Sequence, residues 1–342
     1  MSLVAKRQKT NNVVGTFEGQ TASSLLVSPA VALTGHEGTV LSSSFSNDGS
    51  RLASGGMDRN ILLWRIPWGN LSDLGAINYG EITGHKSAVT RVRWSKDDSM
   101  LVSSSADSTV GFWDAETGTR IRKCLGHEGV VNDVSVGLSK DDVNVEAVSA
   151  GDDGVVYLWD SRYKRPVSSF RTEFPLLATA TSKDGYRVFA SGIDPTIYCI
   201  DIRSTEKPLW TCESHQDTVT SLVLSPDEEL LFSRSDDSKV RSYVSKEFVP
   251  ETTPRPRPYV YDGAPAGTDN IPIRLTMSKN GKLLASGGGD KTVTVWNFET
   301  RRMLAKLTGH TGTVVDVDIH PQLPLIASSS TDGTIILRDL VV

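Results

Sequence analysis

Short apolar or alternating runs recur along this chain, separated by clusters of Gly, Asn, Asp and Ser. Val89 to Trp94, Val219 to Leu224 and Val314 to Ile319 each read as one strand, and turns such as SNDG, SKDD, SKDG and SKNG close runs of this kind. A second run follows, as in Leu52 to Ser54 and Leu283 to Ser286. Then come a tight turn at an Asp and a third run, such as Ile61 to Trp64 or Thr292 to Trp296. A fourth, as in Ala76 to Thr83 and Leu304 to Thr308, leads into the next Gly-His. Brief β-rich runs punctuated by turn residues predict an all-β chain.

A ruler of fixed offsets runs through these units. Ten, eighteen, twenty-two and twenty-eight residues after His85 stand Ser95, Ser103, Asp107 and Trp113, and the same offsets from His36 reach Ser46, Ser54, Asp58 and Trp64. His215, Ser225, Ser233 and Asp237 hold register with Tyr243 in the Trp place; His310, His320, Ser328 and Asp332 hold it with Arg338 there. One unit is stretched by four residues and carries His127, Ser139, Ser149, Asp153 and Trp159. Two units lack Gly-His but keep later marks: Ser182, Asp194 and Ile200 in one, Ser278, Ser286, Asp290 and Trp296 in the other. That makes seven units of about 40 to 50 residues, each of four strands, which is the sequence form of a β-propeller.

With GH at 35–36, 84–85, 126–127 and 309–310 and WD at 113–114 and 159–160, residues 29–342 resemble the WD-repeat (WD40) family. The resemblance implies a seven-bladed propeller and says little of function, because such folds host many roles. It also implies that the recurrent His, Ser, Asp and Trp form a buried network in each blade. The set is complete for His36, Ser54, Asp58 and Trp64, for His85, Ser103, Asp107 and Trp113, and for His127, Ser149, Asp153 and Trp159. Ala190 stands at the Ser place of the fourth unit, so that blade and the others with gaps are expected to be held less tightly.

Val31 to Thr34 sits where a fourth strand belongs, yet no complete unit precedes it, and the last unit stops after its third strand. Residues near 30–34 are therefore expected to pair with residues near 334–341 and close the ring, removing exposed strand edges. Residues 1–28 lack periodicity and read as a flexible polar tail whose Lys6-Arg7-Gln8-Lys9 is a nuclear localisation signal, a phosphate contact or merely solvated. The link after Ile66 places Trp68 in a loop, as a partner anchor or folded back on its own blade. A proline-rich insertion spans 249–272, with Pro258 to Tyr261 expected to supply the fifth unit's fourth strand. Arg255 and Arg257 stand there between prolines, near Arg234, Lys239, Arg241 and Lys246, in what reads as the most basic neighbourhood of the chain, a phosphate contact or a solvated rim.

Composition narrows the picture. A net charge of −5 speaks against a general nucleic-acid-binding surface without excluding a local basic patch. Cys124, Cys199 and Cys212 show no metal spacing and are read as lying in three different units, which suits a reduced intracellular protein. No window reaches membrane-span length and the N-terminus lacks a secretion core, so a soluble chain made in the cytosol is expected.

Recurrent Ser, His and Asp invite a hydrolase reading, but a catalytic triad occurs once, beside a cleft, whereas this constellation recurs in five units. Phosphate loops, dinucleotide fingerprints and HExxH are absent from the sequence, and Gly287-Gly288-Gly289 precedes a strand turn rather than a helix. No enzyme, cofactor or metal is expected. What remains is rigid surface: Met57, Ala106, Asp152, Ile193, Asp236, Gly289 and Thr331, just before the turn aspartates, should encircle one channel mouth. Met57 and Ile193 are apolar there and are candidate partner contacts.

Within the WD-repeat family, AKRQK in the tail, GGMDRNILLW at 55–64, SSSADSTVGFWDAETGTRIRKCLGH at 103–127, SGIDPTIYCIDIR at 191–203 and TRRMLAKLTGH at 300–310 resemble the spliceosomal subunits of the U5 small nuclear ribonucleoprotein. That resemblance implies a nuclear, non-enzymatic scaffold of pre-mRNA splicing. It implies docking onto the large U5 scaffold protein and a neighbouring GTPase, with RNA contact at most peripheral and no membrane or small-molecule substrate. The endings Asp160-Ser161-Arg162 and Asp201-Ile202-Arg203 on consecutive units leave one alternative, a substrate receptor of a cullin-type ubiquitin ligase, with Arg162 and Arg203 as adaptor contacts.

Overall fold

The computed structural model describes residues 30–67, 77–137, 147–183, 185–213, 215–245 and 259–340. Among these, the regular elements are all strands, arranged in seven four-stranded antiparallel sheets. Six sheets take their strands in chain order; the first uses Val40–Phe45, Arg51–Gly56, Ile61–Arg65 and Ile77–Ile82, from inner to outer. Each inner strand contacts the inner strand of the next sheet all the way round, including the last with the first, so the sheets are blades of a seven-bladed propeller.

The seventh blade is built from both ends of the chain. Val314–Ile319, Leu325–Ser330 and Ile335–Asp339 are completed by Ala30–Leu33, paired in the register Ala30↔Arg338 to Leu33↔Ile335. The period-two pattern of this short strand explains its place: Val31 and Leu33 are buried, while Ala30 and Ala32 are partly exposed. Both join a cluster holding Leu325 and Leu337 of the seventh blade and Phe45, Leu52 and Trp64 of the first. Ring closure is thus hydrophobic as well as hydrogen-bonded.

That cluster is one of seven, one at each seam between neighbouring blades. A strand buried on both faces carries continuous apolar residues, which is why Ile61 to Trp64 does not alternate.

Two local devices explain marks in the ruler. The serine ten residues after His36, His85 and His215 caps the turn that follows: Ser46 donates to Asp48 at 2.6 Å and accepts the Arg51 amide at 2.9 Å, and Ser95 does the same with Asp97 and Met100, as Ser225 accepts the Leu230 amide. In six blades the inner pair carries a bulge, as between Val89 and Arg91, Val131 and Asp133, and Val314 and Asp316. A bulge re-aims the next side chain, and that residue lines the axis.

Two expectations need adjustment. The fifth blade's outer strand is Tyr259–Tyr261, one residue shorter than expected, with Val240 opposite Tyr261. Cys199 and Cys212 do not lie in different units: they occupy adjacent strands of the fourth blade, because its outer strand, Trp210–Glu213, falls before the next His. Cys124 and Cys199 are buried and Cys212 is partly buried.

Candidate functional site

The recurrent residues meet in space blade by blade. In the first blade Trp64 Nε1 donates to Ser54 Oγ at 2.9 Å, Ser54 Oγ lies 2.8 Å from His36 Nε2, and His36 Nδ1 lies 2.8 Å from Asp58 Oδ2. A neutral imidazole protonated on Nδ1 gives every link one donor and one acceptor: indole N–H to serine, serine O–H to Nε2, Nδ1–H to carboxylate. The second blade repeats this with Trp113–Ser103 at 2.7 Å, Ser103–His85 at 2.7 Å and His85–Asp107 at 3.4 Å. The third has Trp159–Ser149 at 2.7 Å, Ser149–His127 at 2.7 Å and His127–Asp153 at 2.9 Å. Each aspartate also receives the amide after its histidine, as Lys86 N donates to Asp107 at 2.9 Å. Burial alone would raise Asp58, Asp107 and Asp153, but hydrogen bonds from histidine and backbone outweigh it and hold all three below the usual carboxylate range.

Elsewhere the network is modified. Tyr243 reaches Ser233 only at 3.5 Å, although His215 still joins Ser233 at 2.6 Å and Asp237 at 2.9 Å. Arg338 turns away to the Thr308 carbonyl at 2.6 Å, leaving His310 with Ser328 and Asp332. In the fourth blade Asp194 instead receives the Tyr198 hydroxyl at 3.2 Å. The sixth blade, which lacks His, uses backbone in its place: Trp296 Nε1 donates to the Asp262 carbonyl at 3.0 Å and Thr294 Oγ1 to the Gly263 carbonyl at 3.0 Å.

These networks hold the turns that ring one mouth of the channel. The amides of Met57, Ala106, Asp152, Ile193, Asp236 and Thr331 donate to Thr39, Ala88, Val130, Pro175, Thr218 and Thr313, carbonyls in the loops entering the inner strands. Gly289 does the equivalent with Pro265. On this stiff rim Met57 is 56% and Ile193 is 51% exposed, and Phe174, also exposed, lies beside Ile193 through Pro175.

The axis is closed midway by charge. Ser42, Arg91, Asp133, Ala178, Ser221, Arg274 and Asp316 occupy equivalent inner positions, six of them six residues after the His place or just past a bulge. Arg91 lies 3.2 Å from Asp133 and 2.7 Å from Asp316, while Arg274 lies 3.4 Å from Asp133 and donates to the carbonyls of Asn132 and Leu177 at 2.7 and 3.0 Å. Fixed offsets would have found this ring; its varied chemistry hid it. On the far side from the tetrads lies a cavity of about 350 Å³ whose lining includes Arg91, Asp133, Thr276 and Asp318. Burial, with Asp316 nearby, pushes Asp318 up to about 6.

The remaining candidates are dispersed. Arg162 and Arg203 fold back onto Asp160 and Asp201, with Nε–Oδ1 distances of 2.9 Å in both, so each Asp-x-Arg ending is a local ion pair. Arg234 does not belong to a basic surface as the sequence suggested: it is fully buried, donating to Ser286 Oγ at 2.9 Å and the Pro265 carbonyl at 3.0 Å. Burial pulls it down to about 10, still charged at neutral pH. Trp68, Arg255, Arg257, Lys246 and the tail with Lys6 to Lys9 lie outside the described residues.

The family model "WD domain, G-beta repeat" matches residues 27–65, 78–114, 118–160, 206–243, 267–297 and 301–339. The residues between 160 and 206, where Ala190 and Ile200 replace the usual marks, lie outside the matched segments. The chain is 36% identical to pre-mRNA-splicing factor cwf17 of Schizosaccharomyces pombe over 91% of its own length and 88% of that protein. It is 35% identical to the human U5 small nuclear ribonucleoprotein 40 kDa protein over 94% of this chain and 87% of that one, and 32% identical to the Dictyostelium discoideum protein of the same name over the same shares. The chain therefore belongs to the WD-repeat propeller family, and within it to the group of the U5 40 kDa proteins and cwf17.

Proposed function

We propose that this chain is a non-catalytic scaffold subunit of the U5 small nuclear ribonucleoprotein, acting in the nucleus in pre-mRNA splicing through protein contacts. The observation that carries this is coverage: relatives bearing that name align over 94% of this chain and 87% of their own length, so what is shared is the whole ring. The geometry suits the role. Each Ser-His-Asp group already uses its proton donors and acceptors within its own blade, and five such groups lie around the ring rather than one beside a cleft.

The partners assigned are the large U5 scaffold protein and its GTPase neighbour. The docking face is the rim carrying Met57 and Ile193, exposed apolar side chains on turns held by backbone hydrogen bonds, which cost little ordering entropy on binding. The test is purification of the tagged chain from native nuclear extract, with bound proteins identified by mass spectrometry and RNA by sequencing. U5 RNA and the large splicing proteins are expected, and Met57→Asp with Ile193→Asp should lose the proteins while melting like the parent. Recovery of a ubiquitin-ligase adaptor without splicing RNA would overturn the reading.

A further inference from the structure

The outer strand of the second blade, Arg120–Leu125, carries Arg120, Arg122 and Lys123. About forty residues on, the loop of the third blade carries Arg162, Lys164 and Arg165. The fold lays this loop along the strand: Arg122 Nε donates to the Ser161 carbonyl at 2.9 Å, Cys124 Sγ lies 3.8 Å from the Tyr163 carbonyl, and the Leu125 amide donates to the Lys164 carbonyl at 2.8 Å. Arg122, Arg162, Lys164 and Arg165 thus gather along one edge of an acidic protein, while Arg120, over Trp113, and Lys123, opposite Gly111, point to the other face of the sheet.

Little neutralises them. Arg162 pairs with Asp160, but among the described residues no carboxylate lies within ion-pair distance of Arg120, Arg122, Lys123, Lys164 or Arg165. Apolar surface is interleaved with the charge: Tyr163 is 57% exposed, with the Arg162 guanidinium 5.6 Å from its ring, and Ile121 and Leu125 are exposed on the strand. Arg122 is fixed by its bond to the Ser161 carbonyl at 2.9 Å, so part of the cation array is pre-organised.

Unpaired cations around an exposed aromatic ring meet the needs of an unpaired nucleic-acid strand, whose phosphates take the charge and whose bases stack on the ring. An acidic protein would satisfy the cations but gives no reason for Tyr163 to stand out among them. We propose that the edge where blades two and three meet binds single-stranded RNA, through phosphate contacts to Arg122, Lys164 and Arg165 and base stacking on Tyr163. RNA binding at this edge does not depend on the scaffold assignment.

The test is fluorescence anisotropy of the full chain with a labelled oligouridylate of about 15 nucleotides across a salt series. Affinity should fall linearly with salt on logarithmic axes, and Arg122→Gln, Lys164→Gln and Arg165→Gln together should flatten that slope by about 2, at about 0.7 per lost contact. Tyr163→Ala should weaken binding about tenfold with the slope unchanged. A control pair on other blades, Lys207→Gln and Lys291→Gln, should bind as the parent, and thermal melts establish that all variants fold. No binding by the parent at low salt would overturn the proposal. So would a triple variant that binds like the parent, or binding lost only when Lys6, Arg7 and Lys9 are neutralised. A triple variant that keeps RNA but sheds an acidic protein partner in pull-down would replace RNA with that protein.

Discussion

Arg274 of the sixth blade lies 3.4 Å from Asp133 of the third, so one ion pair reaches across the axis. Arg91 joins the same aspartate and reaches Asp316 of the seventh blade. Blades that touch only their neighbours along the ring are therefore also tied through its centre. Removing one partner strands a buried charge, which costs about 3–5 kcal/mol. Arg274→Met is expected to lower the free energy of urea unfolding by that order. Unchanged stability would mean that the central charges do not brace the ring.

The tetrads make a graded prediction. Trp113 gives its indole proton to Ser103 at 2.7 Å, whereas Tyr243 stands 3.5 Å from Ser233. Trp113→Phe should cost about 2 kcal/mol, from a lost hydrogen bond, lost volume and a disturbed network. Tyr243→Phe should cost less than that, since the contact with Ser233 that it gives up is at the limit of a hydrogen bond. Equal losses in urea denaturation would refute a network whose strength follows its geometry.

Ring closure can be tested by removing residues 29–34. Val31 and Leu33 bury their side chains in the seam between the first and seventh blades, and each contributes about 1.5–3 kcal/mol. The truncated chain should melt well below the parent and expose the edge of Ile335–Asp339 to aggregation. A truncation that melts like the parent would contradict closure by this strand.

Asp318 should leave a mark on the pH dependence of stability. Its folded value of about 6 lies above the unfolded value of 3.8, so the folded chain holds a proton that the unfolded chain has lost, and this site adds stability as pH falls from about 6 toward 3.8. His215 and His320, lowered chiefly by burial, act oppositely: their stability is present above the unfolded value of 6.5 and is lost as pH falls through their folded values. The tetrad aspartates, held low, lose their contribution only below 3.8. The difference between parent and Asp318→Asn isolates the one site. The parent should gain on the order of 2 kcal/mol relative to the variant between pH 7 and pH 4; parallel curves would refute the shift.

What could be read from the chain followed from how each feature is encoded. His85, Ser103, Asp107 and Trp113 were legible because one blade holds all four and the same letters recur at the same spacing. The central ring was not, since its positions carry Ser, Arg, Asp and Ala, and only charge complementarity across blades gives them meaning. The sixth blade's substitute for histidine is the backbone at Asp262 and Gly263, and carbonyls leave no letter in a sequence. Arg234 misled because a basic residue in a charged stretch reads as surface, yet its guanidinium faces Ser286 inside the fold. The basic face needed tertiary contacts, because Arg122 and Ser161 meet only when two blades pack.

The most direct test of the scaffold assignment is gradient sedimentation of undisturbed nuclear extract, with fractions probed for this chain and for U5 RNA. The chain is expected to travel with U5 RNA in a large particle and to shift to lighter fractions when that RNA is digested. A chain found only near the top of the gradient, as a free 37.1 kDa protein apart from U5 RNA, would contradict it.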